Sequence, residues 1–219
     1  MRHLRLEDSG RSRRTSPGQA PQRPYVATTA QVWALHDAMP DHLRPAVLLG
    51  AFVGPRTAEV AALRVDDVDF MRGVFTPIQY PAEPLKSETS RTPVPIPEQL
   101  ALELAAYLQR YKGSTIVTDE IGRPSSPWAI ERGMRATRAR VESLPEGFRF
   151  HDLRHYFASL LIGSGADVKV VQRRLRHASA MTTLNSYGHM WPDADESARA
   201  AVAVVLAART DSKVPRVAD

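Results

Sequence analysis

The segment His151-Asp152-Leu153-Arg154-His155 sets a histidine and an arginine three residues apart, on one face of a helix. His177 follows, with Tyr187 ten residues after it. Upstream stand Arg56, in Gly54-Pro55-Arg56, and Lys86. These residue types suit the cutting and rejoining of a phosphodiester without a metal. Such chemistry needs a nucleophile able to become a phosphoester, and a tyrosine supplies it. It needs donors for the charge of the pentavalent transition state, and paired arginines supply bidentate, charge-assisted bonds. It needs a proton for the leaving oxygen, from a lysine or histidine. Each residue alone also has an ordinary structural reading. Arg56 could be a surface arginine at a helix start, Lys86 a solvated loop lysine, His151 a helix cap and Tyr187 a half-buried core tyrosine.

The elements that must position these groups fit a chain of 219 residues, enough for one sizeable domain with appendages. The net charge of +5 and pI near 9.8 favour a polyanionic partner. The cations are 25 Arg and 4 Lys, and the arginine fork matches phosphate oxygens. With no cysteine, disulfides, thiolate metal sites and cysteine nucleophiles are excluded. No apolar run approaches the roughly 20 residues of a membrane span, and the N-terminus lacks a secretory apolar core. A cytoplasmic protein is the expectation, nucleoid-associated if its polyanionic partner is DNA.

Residues 1–24 hold six arginines, two acids and three prolines, a composition that predicts a disordered basic segment. Helical periodicity begins at Thr28 or Thr29, with Val32, Trp33, His36 and Met39 on a stripe ended by Pro40. Asp41 reads as the next N-cap, with Pro45 in the first turn. A short helix follows Gly54-Pro55. Strands are expected over Val65 to Phe70, Val74 to Thr76 and Arg91 to Ile96. Prolines 93 and 95 suit only an edge or bulge. Further helices are expected over Glu98 to Tyr111, from a Ser126 cap to about Val141, and over Phe150 to Ile162. The last has Leu153, Phe157, Leu160 and Leu161 on one face. Short helices follow over Asp167 to Leu175 and Ala180 to Ser186, then a last one from Asp193 to about Ala208. The fold class is therefore mostly α with a small antiparallel three-stranded sheet. The organisation is a domain over 25–210 and a flexible tail over 211–219.

These motifs resemble the tyrosine recombinases, or phage-type integrases, from about Tyr25 to Trp191. The first box is matched by Gly54-Pro55-Arg56-Thr57-Ala58-Glu59-Val60, ending at Leu63. The hairpin lysine is matched by Lys86 before Ser90-Arg91-Thr92 and Val94-Pro95. The second box is His151 to His155. The third is Leu175-Arg176-His177 with Thr182-Thr183 and Tyr187. The resemblance implies a DNA breaking-rejoining catalytic fold and site-specific recombination or integration, as in mobile genetic elements. Tyr187 would attack the scissile phosphate to give a 3′-phosphotyrosine. Arg56 and Arg154 would clamp its oxygens, with His177 donating to the same phosphate. Lys86 would protonate the leaving 5′ oxygen, and His151 would assist proton movement at the tyrosine. Asp152 would support its helix start, and Glu59 would stand behind the phosphate-contacting groups. No cofactor or metal is implied. The implied partner is a double-stranded DNA recombination site, bound by a homotetramer whose protomers associate weakly alone.

Two positions depart from the pattern. Pro55 stands where the family has leucine, and a proline near a first helical turn is sterically acceptable. Arg176 replaces the glycine before the third-box histidine. If that backbone is left-handed, arginine costs about 1 kcal/mol or more, and it adds a cation near the phosphate. An N-terminal core-binding domain, which full-length relatives carry, is not recognisable. The expectation is weak DNA binding with steep salt dependence. The alternative reading is a truncated, recombination-inactive integrase fragment with at most weak DNA binding. For the last helix, packing in cis and packing into a neighbouring protomer are both open.

Three rival readings rest on fewer residues. His151 and His155 stand at the i, i+4 spacing of a zinc-binding helix. Against this, Asp152 is one methylene short of the metalloprotease base, Arg154 would oppose a dication, and no third ligand is spaced to join. Arg173-Arg174-Leu175-Arg176 between short helices could belong to a helix-turn-helix regulator, which would need neither Tyr187 nor Arg56. A type IB topoisomerase shares the tyrosine chemistry, but the boxes look like those of integrases.

Overall fold

The computed structural model describes residues 24–78, 92–191, 199–200 and 202–204. Lys86, residues 1–23, residues 205–219 and most of the expected last helix lie outside the described residues.

Side-chain caps set the helix starts. Helix α1 (Thr29–Ala38) opens with Thr28, whose hydroxyl accepts from the Gln31 N–H at 3.2 Å while Gln31 accepts from the Thr28 N–H at 2.9 Å. Trp33 of α1 is 44% exposed, yet its ring lies 5.4 Å from that of Phe52. Asp41 does not cap a helix as expected. It begins a 3-10 turn, Asp41–Leu43, and α2 (Arg44–Phe52) starts after it. Pro45, which lacks an N–H, fits only the first turn of α2. The Asp41 carboxylate pairs instead with Arg44 at 3.1 Å and Arg110 at 2.9 Å.

Helix α3 (Thr57–Ala62) follows the Gly54 turn. The first half of the expected strand from Val65 is a 3-10 turn, Val65–Asp67. Its cause is Asp67, which accepts from the Arg64 N–H at 3.1 Å and from the Arg64 guanidinium at 3.0 and 2.8 Å. That leaves β1 (Val68–Asp69), β2 (Val74–Phe75) and β3 (Val94–Pro95), antiparallel in the order β1-β2-β3. Val68 pairs with Phe75, and Phe75 with Val94. Pro95 lies on the outer strand, where its missing N–H costs no ladder bond.

The second half is helical: α4 (Glu98–Arg110), α5 (Pro127–Arg138), α6 (Phe150–Gly163), α7 (Val168–Leu175) and α8 (Ala180–Tyr187). Ser126 caps α5 and Asp167 caps α7, each accepting an N–H three residues on. The main core gathers α1, α2, α4, α5, the sheet and the first half of α6. Helices α2 and α6 meet at Gly50, where a Cβ would stand 2.9 Å from Leu153 Cδ1 and Phe150 Cζ. A side chain at this position would require Leu153 or Phe150 to shift. A smaller cluster of Phe157, Ala158, Ile162, Val171, Leu175 and Tyr187 ties α6, α7 and α8 together. Leu160, expected in the apolar face of α6, is instead 39% exposed. The result is the expected mostly helical domain with a small three-stranded antiparallel sheet. The described residues of the last helical stretch, 199–200 and 202–204, are exposed. Among the described residues no helix is long and apolar enough to cross a membrane.

Candidate active site

Three chain segments meet around Arg154: the turn before α3, the first turns of α6 and the end of α7. The first is the turn before α3. Gly54 has φ +72°, and a Cβ there would meet Phe157 Cδ1 at 2.6 Å, so both the turn and its approach to α6 require glycine. Pro55 is buried and lies ahead of the helix, where it removes no helical hydrogen bond. Arg56 then caps α3. Its backbone N–H donates to Glu59 Oε2 at 2.9 Å and its Nη1 to Glu59 Oε1 at 3.0 Å. The Arg56 side chain remains about half exposed (48%), while that of Glu59 is buried.

Arg154 lies at the centre, 2% exposed. Its Nη1 donates to the Gly54 carbonyl and its Nη2 to the Leu175 carbonyl. These acceptors lie two residues before Arg56 and two before His177, so one guanidinium fixes the first and third boxes together. Burial, with the Arg56 charge adding to it, pulls the Arg154 pKa down to about 10. The group stays cationic at neutral pH.

The third segment is the end of α7. Arg176 adopts φ 51°, ψ 43°, the left-handed conformation in which its departure from glycine carries a cost. Its side chain turns inward, 5% exposed, and its Nη2 donates to Glu59 Oε2. Burial alone would raise the Glu59 pKa, but Arg176 and then Arg56 outweigh it and hold the carboxyl below its ordinary value. His177 follows, with Nδ1 at 2.9 Å from Thr183 Oγ1.

The Tyr187 ring is 2% exposed within the smaller core cluster, and the His177 ring stacks parallel to it at 6.4 Å between centroids. The Tyr187 hydroxyl lies 2.8 Å from Nδ1 of His155. His151 packs edge-on against the His155 ring at 4.9 Å. Asp152 accepts the Arg149 N–H at 2.6 Å, supporting the start of α6, and its other oxygen lies 4.0 Å from His155 Nε2. Burial, and then His151 and Arg154, push the His155 pKa down to about 4. Burial, and then Arg154 and Arg56, take His177 to about 4. Burial raises Tyr187 to about 12, against the pull of Arg154. At neutral pH the pair is therefore a neutral phenol donating to a neutral imidazole.

The sign of these shifts predicts a pH effect on stability. His155 and His177 bind protons more weakly when folded than when unfolded. Their stabilising contribution is complete above pH 6.5 and is lost progressively as pH falls from about 6.5 to about 4. Near pH 5, these two rings together should take up about two protons on unfolding. Urea melts across this range check it, and a flat profile would contradict neutral burial of both rings.

Arg56, His151, Arg154, His177 and Tyr187 thus lie in one neighbourhood, each within electrostatic or ring contact of another, while Lys86 lies outside the described residues. From the sequence His155 had a role only in the zinc alternative, and Thr183 none beyond its place in the third box. The i, i+4 spacing of His151 and His155 was the available signal, but only the packing of α8 on α6 decides which ring meets Tyr187. Among the described residues no group of three or more His, Cys, Asp or Glu is placed to hold a metal ion.

Residues 26–192 match the model of the phage integrase family. The tyrosine recombinase XerA of Pyrococcus furiosus is 30% identical over 171 residues, covering 73% of this chain and 56% of that one. XerA of Thermococcus kodakarensis is 31% identical over 184 residues, covering 78% and 60%. The chain therefore spans a little over half the length of these relatives. A lambda integrase tetramer solved on a Holliday junction superposes with TM-score 0.60 at 21% identity, covering 76% of this chain and 50% of that one. The fold is thus that of the integrase catalytic region. With boxes, geometry and family model in agreement over the same residues, the chain belongs to the phage integrase family.

Proposed function

We propose that this chain is the catalytic part of a tyrosine site-specific recombinase that cuts and rejoins double-stranded DNA through a covalent 3′-phosphotyrosine. The observation that carries the reading is the Tyr187 hydroxyl at 2.8 Å from His155 Nδ1, within electrostatic reach of the buried Arg154. In the proposed step Tyr187 Oη attacks phosphorus and its proton passes to His155 Nδ1. The P–O5′ bond breaks, and the leaving oxygen takes a proton from Lys86. Asp152, near His155 Nε2, favours the tautomer with Nδ1 unprotonated and steadies the imidazolium that forms. His151, against the His155 ring, lies next to this proton transfer. Arg56 and Arg154 hold the non-bridging oxygens. His177 joins them if its Nδ1 accepts from Thr183, which leaves Nε2–H as a donor. Because the phosphotyrosine retains the ester bond, rejoining needs neither ATP nor a metal.

His155→Ala should slow strand cleavage by roughly 10²-fold or more, the usual contribution of a positioned base. DNA binding should change little, as shown by single-turnover cleavage and a filter-binding Kd on the same duplex. Equal cleavage rates would contradict the proton path. The reading as a whole is tested by incubating the protein with nicked duplexes from the DNA flanking its gene, in chelator, and seeking an SDS-resistant adduct. A core-binding domain fused at the N-terminus supplies a second arm. An adduct in either arm supports the reading, and none in both overturns it. The same assay addresses the zinc and regulator alternatives, neither of which predicts a covalent adduct in chelator. Partner and place follow from the proposed substrate: a homotetramer on two duplexes, within the nucleoid.

A further inference from the structure

Arg176 bears two unfavourable features at one residue. Its backbone is left-handed, a conformation unfavourable to any residue with a Cβ. Its guanidinium is withdrawn from water, with the residue 5% exposed. A glycine would avoid both. Local rules broken in this way mark positions where the side chain serves the site.

What the side chain reaches is specific. Arg176 Nη2 donates to Oε2 of Glu59, the same oxygen that accepts the Arg56 N–H, while Oε1 of that carboxylate accepts from the Arg56 guanidinium. Glu59 is 3% exposed, so its charge acts at low dielectric on whichever cations stand beside it. The carboxylate orients Arg56, but it also opposes the charge that Arg56 offers a phosphate. With Arg176 present, the three side chains carry two positive charges and one negative, a net of +1. Without it the net of the remaining pair is zero, and Arg56 is left as the hydrogen-bonded cation on the carboxylate, with Arg154 acting on it only through space.

We infer that Arg176 is a positioning residue for strand cleavage: by sharing Glu59 it frees the charge of Arg56 for the scissile phosphate and locks the first box to the third. The inference rests on the recombinase reading above. Arg176 acts through Glu59, so its effect should appear in the cleavage step more than in DNA binding, and should vanish when Glu59 carries no charge.

The test uses the glycine variant, which relieves the left-handed backbone and so avoids simple misfolding. Wild type, Arg176→Gly, Arg176→Lys, Glu59→Gln and the double variant E59Q/R176G are compared in single-turnover cleavage and equilibrium binding of one nicked duplex. The expected result is a roughly tenfold or larger loss of cleavage rate in R176G, with Kd within about threefold. R176K should recover part of the rate. R176G should cause no further loss in the E59Q background, since the uncharged amide of that variant needs no second cation. R176G cleaving like wild type overturns the inference, as does an equal loss in both backgrounds. If wild type forms no adduct on any substrate, the recombinase reading falls and the inference with it. If wild type is active and R176G is unimpaired, only the inference falls.

Discussion

Replacing Arg154 by alanine will lower both stability and cleavage, and lysine will not restore cleavage. The guanidinium donates to the carbonyls of Gly54 and Leu175 in a site that is 2% exposed. Its removal leaves two buried acceptors without these donors, at about 1–3 kcal/mol each. We expect a loss of about 2–6 kcal/mol in chemical denaturation of Arg154→Ala. In the same variant the turn before Arg56 and the segment before His177 are no longer held together. Arg154→Lys keeps a charge, but a compact ammonium lacks the planar fork that spans both carbonyls. Its cleavage rate should fall by roughly 10²–10³-fold even where its melting point recovers. Near wild-type cleavage by R154K would show that the charge alone suffices and the fork does not matter.

Tyr187→Phe should lose cleavage while keeping its stability. The ring belongs to the apolar cluster joining α6, α7 and α8, and phenylalanine retains that packing. Only the hydroxyl and its bond to His155 are removed. The stability change should stay within about 1 kcal/mol, the net worth of one hydrogen bond. Cleavage should fall below detection, since no other group replaces the nucleophile. The two variants together separate framework from chemistry: Arg154 serves both, and the Tyr187 hydroxyl only the second. A Tyr187→Phe protein that still cleaved would remove the tyrosine from the reaction.

The features most legible in the sequence were those with local causes. Thr28, one of two expected caps, and Ser126 cap helices because their side chains meet an N–H three residues away, a contact within the sequence window. The positions of Gly54, Arg56, Arg154, His177 and Tyr187 were legible as spaced motifs. Errors arose where a local side-chain bond competed with hydrophobic pattern. Asp67 folds Arg64 to Asp67 into a turn that the apolar residues from Val65 to Phe70 do not reveal, and Asp41 gives its carboxylate to two arginines instead of a helix cap. The exposure of Leu160 shows the same limit, because α6 buries different faces along its length against two separate clusters. The contacts that define the site were least visible. His155 reaches Tyr187 across 32 residues, and Arg176 reaches Glu59 across 117. Both depend on how α7 and α8 close over α6. The strain at Arg176 was foreseeable from its replacement of glycine, whereas the inward course of its side chain was not.

The most direct measurement is mass spectrometry of the wild-type adduct after nuclease and protease digestion. A peptide carrying a nucleotide on the Tyr187 oxygen, absent from Tyr187→Phe, is the predicted result. A nucleotide on any other residue, or an adduct that survives in Tyr187→Phe, would contradict the assignment of Tyr187 as the nucleophile.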